Sequence, residues 1–234
     1  MRKLLILVVL VGAAVYAYAG ATNSGFDPTT NSGPVEFTFL GWNNGNWQNG
    51  YPYEIQPTNG PAGSVIAVMC DDYMHGGQPG QEWMANITDL GTGNITLTRF
   101  NLTVGPYSLY PLFLYEEAGW ILKQTQVEPT SQWMPMNYAV WNIFDPNSPC
   151  NSACQTWLAA AFIGAKEEPL SYYDNVYIVT PVNQYNPDPN SMQEFMFIGS
   201  DPSGQGASST VPEPGTLLLL GSGLLAVLRR KIFN

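Results

Sequence analysis

Cys70, Cys150 and Cys154 are the side chains with the sharpest chemistry in this 234-residue chain. Cys150 and Cys154 stand four apart in Pro149-Cys150-Asn151-Ser152-Ala153-Cys154. That spacing falls just before or across a helix start, where two Cα atoms can approach to the ~5.5–6 Å that a disulfide requires. Among the pairings that the three cysteines allow, the loop 150–154 is the easiest to close. A Cys150–Cys154 bridge is therefore expected in an oxidising compartment. Cys70 is then the odd thiol, which must be buried, paired between chains, or chemically special.

The remaining candidates are weaker. The only histidine, His75, lies in Met74-His75-Gly76-Gly77. One imidazole cannot build a multi-histidine metal centre, and no nucleophile-elbow pattern supports a serine triad through it. Asp71-Asp72 and Glu116-Glu117 are adjacent pairs. Neighbours on a strand point to opposite faces and neighbours on a helix diverge, so neither pair alone is a general acid/base pair. Asp145-Pro146-Asn147 and Asp188-Pro189-Asn190 offer oxygens to calcium but lack the ligand spacing of a calcium loop, and they read as turns. No metal, no cofactor and no enzymatic activity are expected. Trp42, Trp47, Tyr51 and Tyr53 are candidates for a sugar-stacking platform in a Gly/Asn-rich loop, against the plainer reading of packing over a sheet edge. Asn86-Ile87-Thr88, Asn94-Ile95-Thr96 and Asn101-Leu102-Thr103 fit the glycosylation triplet, but a half-exposed strand produces the same alternation, and no glycans are expected.

Both ends of the chain read as export machinery. Arg2 and Lys3 precede an apolar stretch over residues 4–15 and the small-x-small site Ala17-Tyr18-Ala19. Residues 1–19 are expected to be a signal peptide, with cleavage after Ala21 as the alternative to Ala19. At the other end, Val211-Pro212-Glu213-Pro214 stands directly before the apolar run 215–228, followed by Arg229, Arg230 and Lys231. As a helix that run rises ~21 Å against a hydrocarbon core of ~30 Å, a thin span that relies on snorkelling of Arg229 and Arg230 or on local thinning. The basic cluster would be held on the cytoplasmic side.

Removing these ends leaves an acidic domain. Of the eight Lys and Arg, only Arg99, Lys123 and Lys166 lie between them, against 18 Asp and Glu in the chain. No basic patch is available to neutralise phosphates, so a nucleic-acid partner is excluded. The same shortage disfavours an anionic lipid surface.

The elements that must position these residues read as one α+β domain over residues 20–200, with a helical block between two groups of strands. Strands are expected at 35–40, 64–70, 176–179 and 194–198, with a Gly/Asn/Trp/Tyr-rich loop at 41–53. Residues 83–90 and 94–104 read as a hairpin through Gly91-Thr92-Gly93, with Ile95, Leu97 and Arg99 on one face. Helical spacing covers 109–125, 132–144 and 154–165. The architecture expected is an antiparallel β-sandwich or partly open barrel carrying a central segment of about three helices. Residues 201–210 form a flexible Ser/Gly-rich spacer, and 211–234 the tail.

Two resemblances follow from these motifs. Val211-Pro212-Glu213-Pro214, the apolar run and Arg229-Arg230 resemble the PEP-CTERM sorting tail of Gram-negative surface and secreted proteins. That resemblance implies an exosortase-type membrane protease as partner, transient membrane anchoring through the tail, and removal of the anchor. Met69-Cys70-Asp71-Asp72-Tyr73, Ala118-Gly119-Trp120-Ile121-Leu122 and Asn137-Tyr138-Ala139-Val140-Trp141 resemble the thioester domain of bacterial surface adhesins, over roughly residues 64–144. In that family a strand cysteine condenses with the glutamine of a Thr-Gln-x-Ala-x-Trp motif. Aligned on Ala139 and Trp141, this chain places Asn137 at the glutamine and Met136 at the threonine. The shorter asparagine loses ~1.5 Å of reach. Gln126 and Gln132 are alternative amides without the surrounding motif. Cys70 is accordingly expected to be a buried thiol on a retained fold.

The expected function is a non-enzymatic, exosortase-processed surface or extracellular-matrix protein in adhesion or biofilm. Alternatives are a module binding extracellular polysaccharide, and a covalent adhesin acting through Cys70. A second surface protein is the other partner class.

Overall fold

The computed structural model describes residues 26–30, 33–42, 51–60, 64–101, 110–183 and 191–199, all within the unit Met1–Ser200. Six antiparallel strands close a barrel in the order β1-β2-β3-β6-β5-β4. They are β1 (Val35–Trp42), β2 (Tyr53–Pro57), β3 (Ile66–Cys70), β4 (Glu82–Asp89), β5 (Val176–Pro181) and β6 (Phe195–Ile198). Between β4 and β5 come α1 (Pro111–Gln124), α2 (Trp133–Phe144) and α3 (Ser152–Glu167). The α+β class, with strands on either side of a block of three helices, is the one expected; the barrel is closed rather than partly open.

Alternation explains which wall of the barrel the helices cover. In β1 and β2 the residues Phe37, Phe39, Tyr53 and Ile55 point inward, while their neighbours are partly or fully exposed. This is the period-two pattern of a sheet with one wet face. β5 is buried at every position, and Phe195, Met196 and Phe197 of β6 are all buried. On these strands alternate residues serve two cores. Tyr177, Val179, Phe195 and Phe197 fill the barrel with Cys70, whereas Val176, Ile178, Met196 and Met69 pack beneath the helices with Leu114, Ala118, Met136 and Val140. Each fully buried large apolar side chain is worth roughly 1.5–3 kcal/mol, so this doubly buried wall anchors the helices to the sheet.

Two glycines are required by geometry. Gly41 has φ +102° beside the register shift between Phe39 and Gly41, where the first strand bulges against β2. Gly164 lets α3 approach α1: a Cβ there would stand 2.2 Å from the Trp120 ring. α3 starts on Asn151, whose side chain accepts from the Cys154 backbone N–H at 3.0 Å. α1 starts at Pro111, which is pre-organised for the first helical position.

Three sequence expectations are corrected. Residues 94–101 form turns, not the second arm of a hairpin; β4 pairs with β1 and β5 instead. Asn94 Oδ1 accepts from Thr96 N at 3.2 Å and from Thr96 Oγ1 at 2.8 Å, and Thr98 N donates to Ile95 O at 3.0 Å. These local Asn and Thr bonds satisfy the backbone that a strand ladder would have used. Leu97 is exposed and Arg99 buried, so they do not share a face. The expected loop 41–53 loses its ends to strands: β1 runs through Trp42 and β2 begins at Tyr53. Finally, β2 is absent from the sequence reading, although Tyr53 and Ile55 carry its alternation. The signal peptide 1–19, the spacer 201–210 and the tail 211–234 lie outside the described residues. Among the described residues no helix is long and apolar enough to cross a membrane.

Candidate functional site

The third strand ends in Cys70, and the chain turns through Asp71 and Asp72 into a loop. There the two walls of the molecule meet a buried polar seam. Asp72 forms an ion pair with Arg99, with side-chain exposures of 1% and 5%. Its other oxygen lies 2.9 Å from His75 Nδ1 and accepts from Met74 N at 3.2 Å. Arg99 Nη2 donates to Met192 O at 2.9 Å, and the Arg99 backbone N–H donates to Glu194 Oε2 at 2.8 Å. Glu194, fully buried, also accepts from Tyr115 Oη at 2.5 Å and from Thr180 Oγ1. Residues from α1, β5 and three loops thus converge on two carboxylates. Charge taken out of water costs several kcal/mol per ion unless it is paired and hydrogen-bonded, and this seam supplies both for Asp72 and Glu194.

Asp71 is the exception. It is fully buried, and neither carboxylate oxygen accepts a hydrogen bond. Burial pushes its carboxyl well above the usual range, and the neighbouring charges of Glu194 and Asp72 push it further in the same direction. Asp71 is therefore held as the neutral acid, with its O–H directed to Glu194. Burial also raises Glu194, offset by hydrogen bonds from Thr180, Tyr115 and Arg99.

Cys70 precedes this carboxyl pair on the strand. It is fully buried and free of any disulfide. Its thiol donates to Asp72 O at 3.3 Å. Burial pushes the thiol well up, with Asp72 and Asp71 adding repulsion and a Trp141 hydrogen bond offsetting part of it. A thiol in this state is protonated at neutral pH and a poor nucleophile. Trp141 packs from α2 against the barrel-core cluster that contains Cys70. Asn137, fully buried, lies one helical turn before it on the same stripe of α2. α2 thus presents the sequence-predicted Asn137 and the ring of Trp141 along one face. Gln132 instead receives the Trp157 indole N–H at 3.3 Å.

A cleft of about 470 Å³ opens beside this seam. Its lining includes Asp71, Asp72, Tyr73, Phe100, Phe144 and Asp145. Tyr73 is 42% exposed. Its ring lies 5.2 Å from Trp141, which lies 5.5 Å from Tyr138. Phe100 and Phe144 stack at 4.5 Å.

The other sequence candidates are dispersed. Cys150 and Cys154 form a disulfide with Cα atoms 5.3 Å apart at the start of α3. Of the four aromatic residues proposed for sugar stacking, the three described, Trp42, Tyr51 and Tyr53, do not form one platform. Tyr53 is buried between Phe39 and Phe195, Tyr51 packs edge-on against Trp133 at 5.0 Å, and Trp42 covers Tyr53 at 6.1 Å from the outer end of β1. Trp47 lies outside the described residues. Asp145 and Asn147 make a local turn, Asp145 Oδ1 accepting from Asn147 N at 3.0 Å; residues 188–190 lie outside the described residues. Glu116 and Glu117 sit on α1, where burial raises both carboxyls, that of Glu117 to about 7. Among the described residues, no group of three or more His, Cys, Asp or Glu is placed to hold a metal ion. The sequence reading missed Arg99, Tyr115 and Glu194. The one available signal was an arginine in an exported domain with only three basic residues.

No curated protein matches this chain. The N-terminal thioester domain of a surface protein from Clostridium perfringens is similar in structure, with 14% identity and a TM-score of 0.40, over 70% of this chain and 98% of that one. Residues 210–231 match the PEP-CTERM protein-sorting motif, which implies that the chain is exported, processed by the membrane protein exosortase and sorted to the cell surface.

Proposed function

We propose that this protein is a non-enzymatic component of the cell surface or extracellular matrix that acts in adhesion or biofilm, and that it does so without a covalent bond to its partner. The sorting motif at 210–231 carries this reading, because it delivers an acidic barrel domain to the outside of the cell. Two features of the domain support the non-covalent, non-catalytic form. Cys70 is enclosed by the barrel core and held as a neutral thiol, the wrong state for attack on an amide. Glu194 and Asp72 spend their acceptors on Thr180, Tyr115, Arg99, His75 and Met74, which makes them structural groups.

Replacing Pro212, Glu213 and Pro214 together by alanine is expected to leave the protein in the inner membrane with its tail attached. Deleting the protein is expected to reduce attachment of cells to one another or to a surface. Normal release of the alanine variant would overturn the sorting half of this reading, and unchanged attachment of the deletion strain would overturn the adhesion half.

A further inference from the structure

We propose that the cleft at the end of β3 binds one ring of a neutral polysaccharide, with the ring face against Tyr73 and a ring hydroxyl donated to Asp71. This ligand class deepens the surface-protein reading above and rests on it. The cleft, about 470 Å³, has the size of a small-ligand site, typically ~300–1,000 Å³. Asp71 is fully buried, lines the cleft, and has no donor at either oxygen. With its proton directed to Glu194, the carbonyl oxygen is an acceptor that the protein leaves empty, which is a penalty that a ligand hydroxyl removes. The aromatic side chains supply the second half of the match. A sugar ring has apolar C–H faces and a polar rim. Tyr73 stands exposed next to Trp141, and the Phe100–Phe144 pair lines the same cleft.

Charge selects among glycans. The described part of the domain has only Arg99, Lys123 and Lys166 as strongly basic residues. Arg99 is committed to Asp72, and Lys123 lies over the Tyr172 ring and donates to the Tyr172 carbonyl. An acidic polymer therefore meets a domain of its own sign with no cation in the cleft. A cationic amino sugar finds Asp72 already paired with Arg99, and Asp145, the third carboxyl of the lining, accepting from Asn147, while Asp71 offers an acceptor rather than a counter-charge. A neutral, hydroxyl-rich ring fits both conditions.

The test applies the exported protein to an array of neutral, amino-bearing and uronate-bearing oligosaccharides, then titrates the best binder by tryptophan fluorescence, since Trp141 adjoins Tyr73. Saturable binding of a neutral oligosaccharide is expected, weakened roughly tenfold by Tyr73→Ala with an unchanged thermal midpoint. Asp71→Asn is expected to weaken it less, because the amide oxygen still accepts a hydroxyl. Failure to bind any neutral oligosaccharide, indifference to Tyr73→Ala, or preference for the amino sugars would overturn the assignment, the last in favour of a cation site. Cell attachment separates this outcome from the broader reading. If deletion abolishes attachment and Tyr73→Ala cells attach normally, the surface role stands and the cleft assignment falls. If deletion leaves attachment intact while the purified protein binds through Tyr73, the reverse holds.

Discussion

Cys150 and Cys70 are the same residue in opposite settings. Cys150 lies just before α3, closes a bridge to Cys154 across five residues of local chain, and is only half-buried against the edge of the helical core. Cys70 ends a strand buried on both faces, beside a seam whose members come from positions as far apart as Asp72 and Glu194. Oxidation of the first is dictated by sequence distance and compartment. The raised thiol of the second is dictated by tertiary burial and by two carboxyls next to it. The chemistry of a thiol is thus set by what surrounds it, and only local surroundings can be read from spacing.

The strongest way to break the comparison is to remove the cation on which the buried seam depends. Arg99→Met leaves Asp72 buried and without its main partner, and should cost ~3–5 kcal/mol in urea unfolding. A loss below 1 kcal/mol would show that water reaches the seam and that the setting of Cys70 is less enclosed than the structure has it.

Cys70→Ser comes next. A hydroxyl in place of a sulfur in the barrel core should cost ~1–3 kcal/mol, since Asp72 O remains a partner but the more polar group is buried among the barrel's apolar side chains. Attachment should be retained by any variant that still folds. The intact mass of the unmutated exported protein should show no loss of ammonia, and methylamine should not add to it. Asn137→Gln sharpens the point, because it restores the length that the thioester resemblance requires. An ammonia deficit in the unmutated protein would make Cys70 the reactive cysteine and reverse the comparison.

Replacing Cys150 and Cys154 together by alanine should cost less, ~2 kcal/mol, because the closed loop is short. Much of that loss would appear as fraying of the α3 start, where Asn151 caps the helix. Peptide mapping without reduction should find the pair joined.

What was legible in the sequence follows the same line. The helices and five of the six strands declared themselves through hydrophobic patterning, and the bridge and the sorting tail through short spacing. β2 was hidden because two alternating positions, Tyr53 and Ile55, sit next to a Gly/Asn-rich stretch that reads as loop. The false hairpin arm at 94–104 arose because Asn-apolar-Thr alternation also satisfies turns through side-chain-to-backbone bonds. The seam was not legible at all: the Arg99–Asp72 and Tyr115–Glu194 pairs span 27 and 79 residues, and no local pattern announces such partners. Asp71-Asp72 looked like an uninformative pair because adjacent residues face apart, yet that divergence sends Asp72 to Arg99 and Asp71 to Glu194.

The finest probe of the seam is the protonation of Asp71, whose carboxyl is raised by burial, then by Glu194 and Asp72, with Arg99 acting in the other direction. A carboxyl raised on folding binds its proton more tightly in the native state. Its stabilising contribution is fully present below the unfolded value of about 3.9 and is lost as pH rises toward the folded value. Glu194 is raised as well and acts with the same sign. Unfolding free energy should therefore rise as pH is lowered from 7 toward 5, opposite to the trend of a protein held by ionised, salt-bridged carboxylates. Asp71→Asn replaces the neutral acid by a group of its own shape that cannot ionise, and its amide can donate to Glu194 as the carboxyl proton did. The variant should match the unmutated protein at low pH, exceed it modestly at pH 7, and show a shallower pH slope between. Urea unfolding of both proteins at pH 5, 6 and 7 measures this directly. An unchanged slope would mean that Asp71 stays ionised in the folded protein, with Arg99 or water compensating its charge, and that the seam is wetter than the thiol beside it.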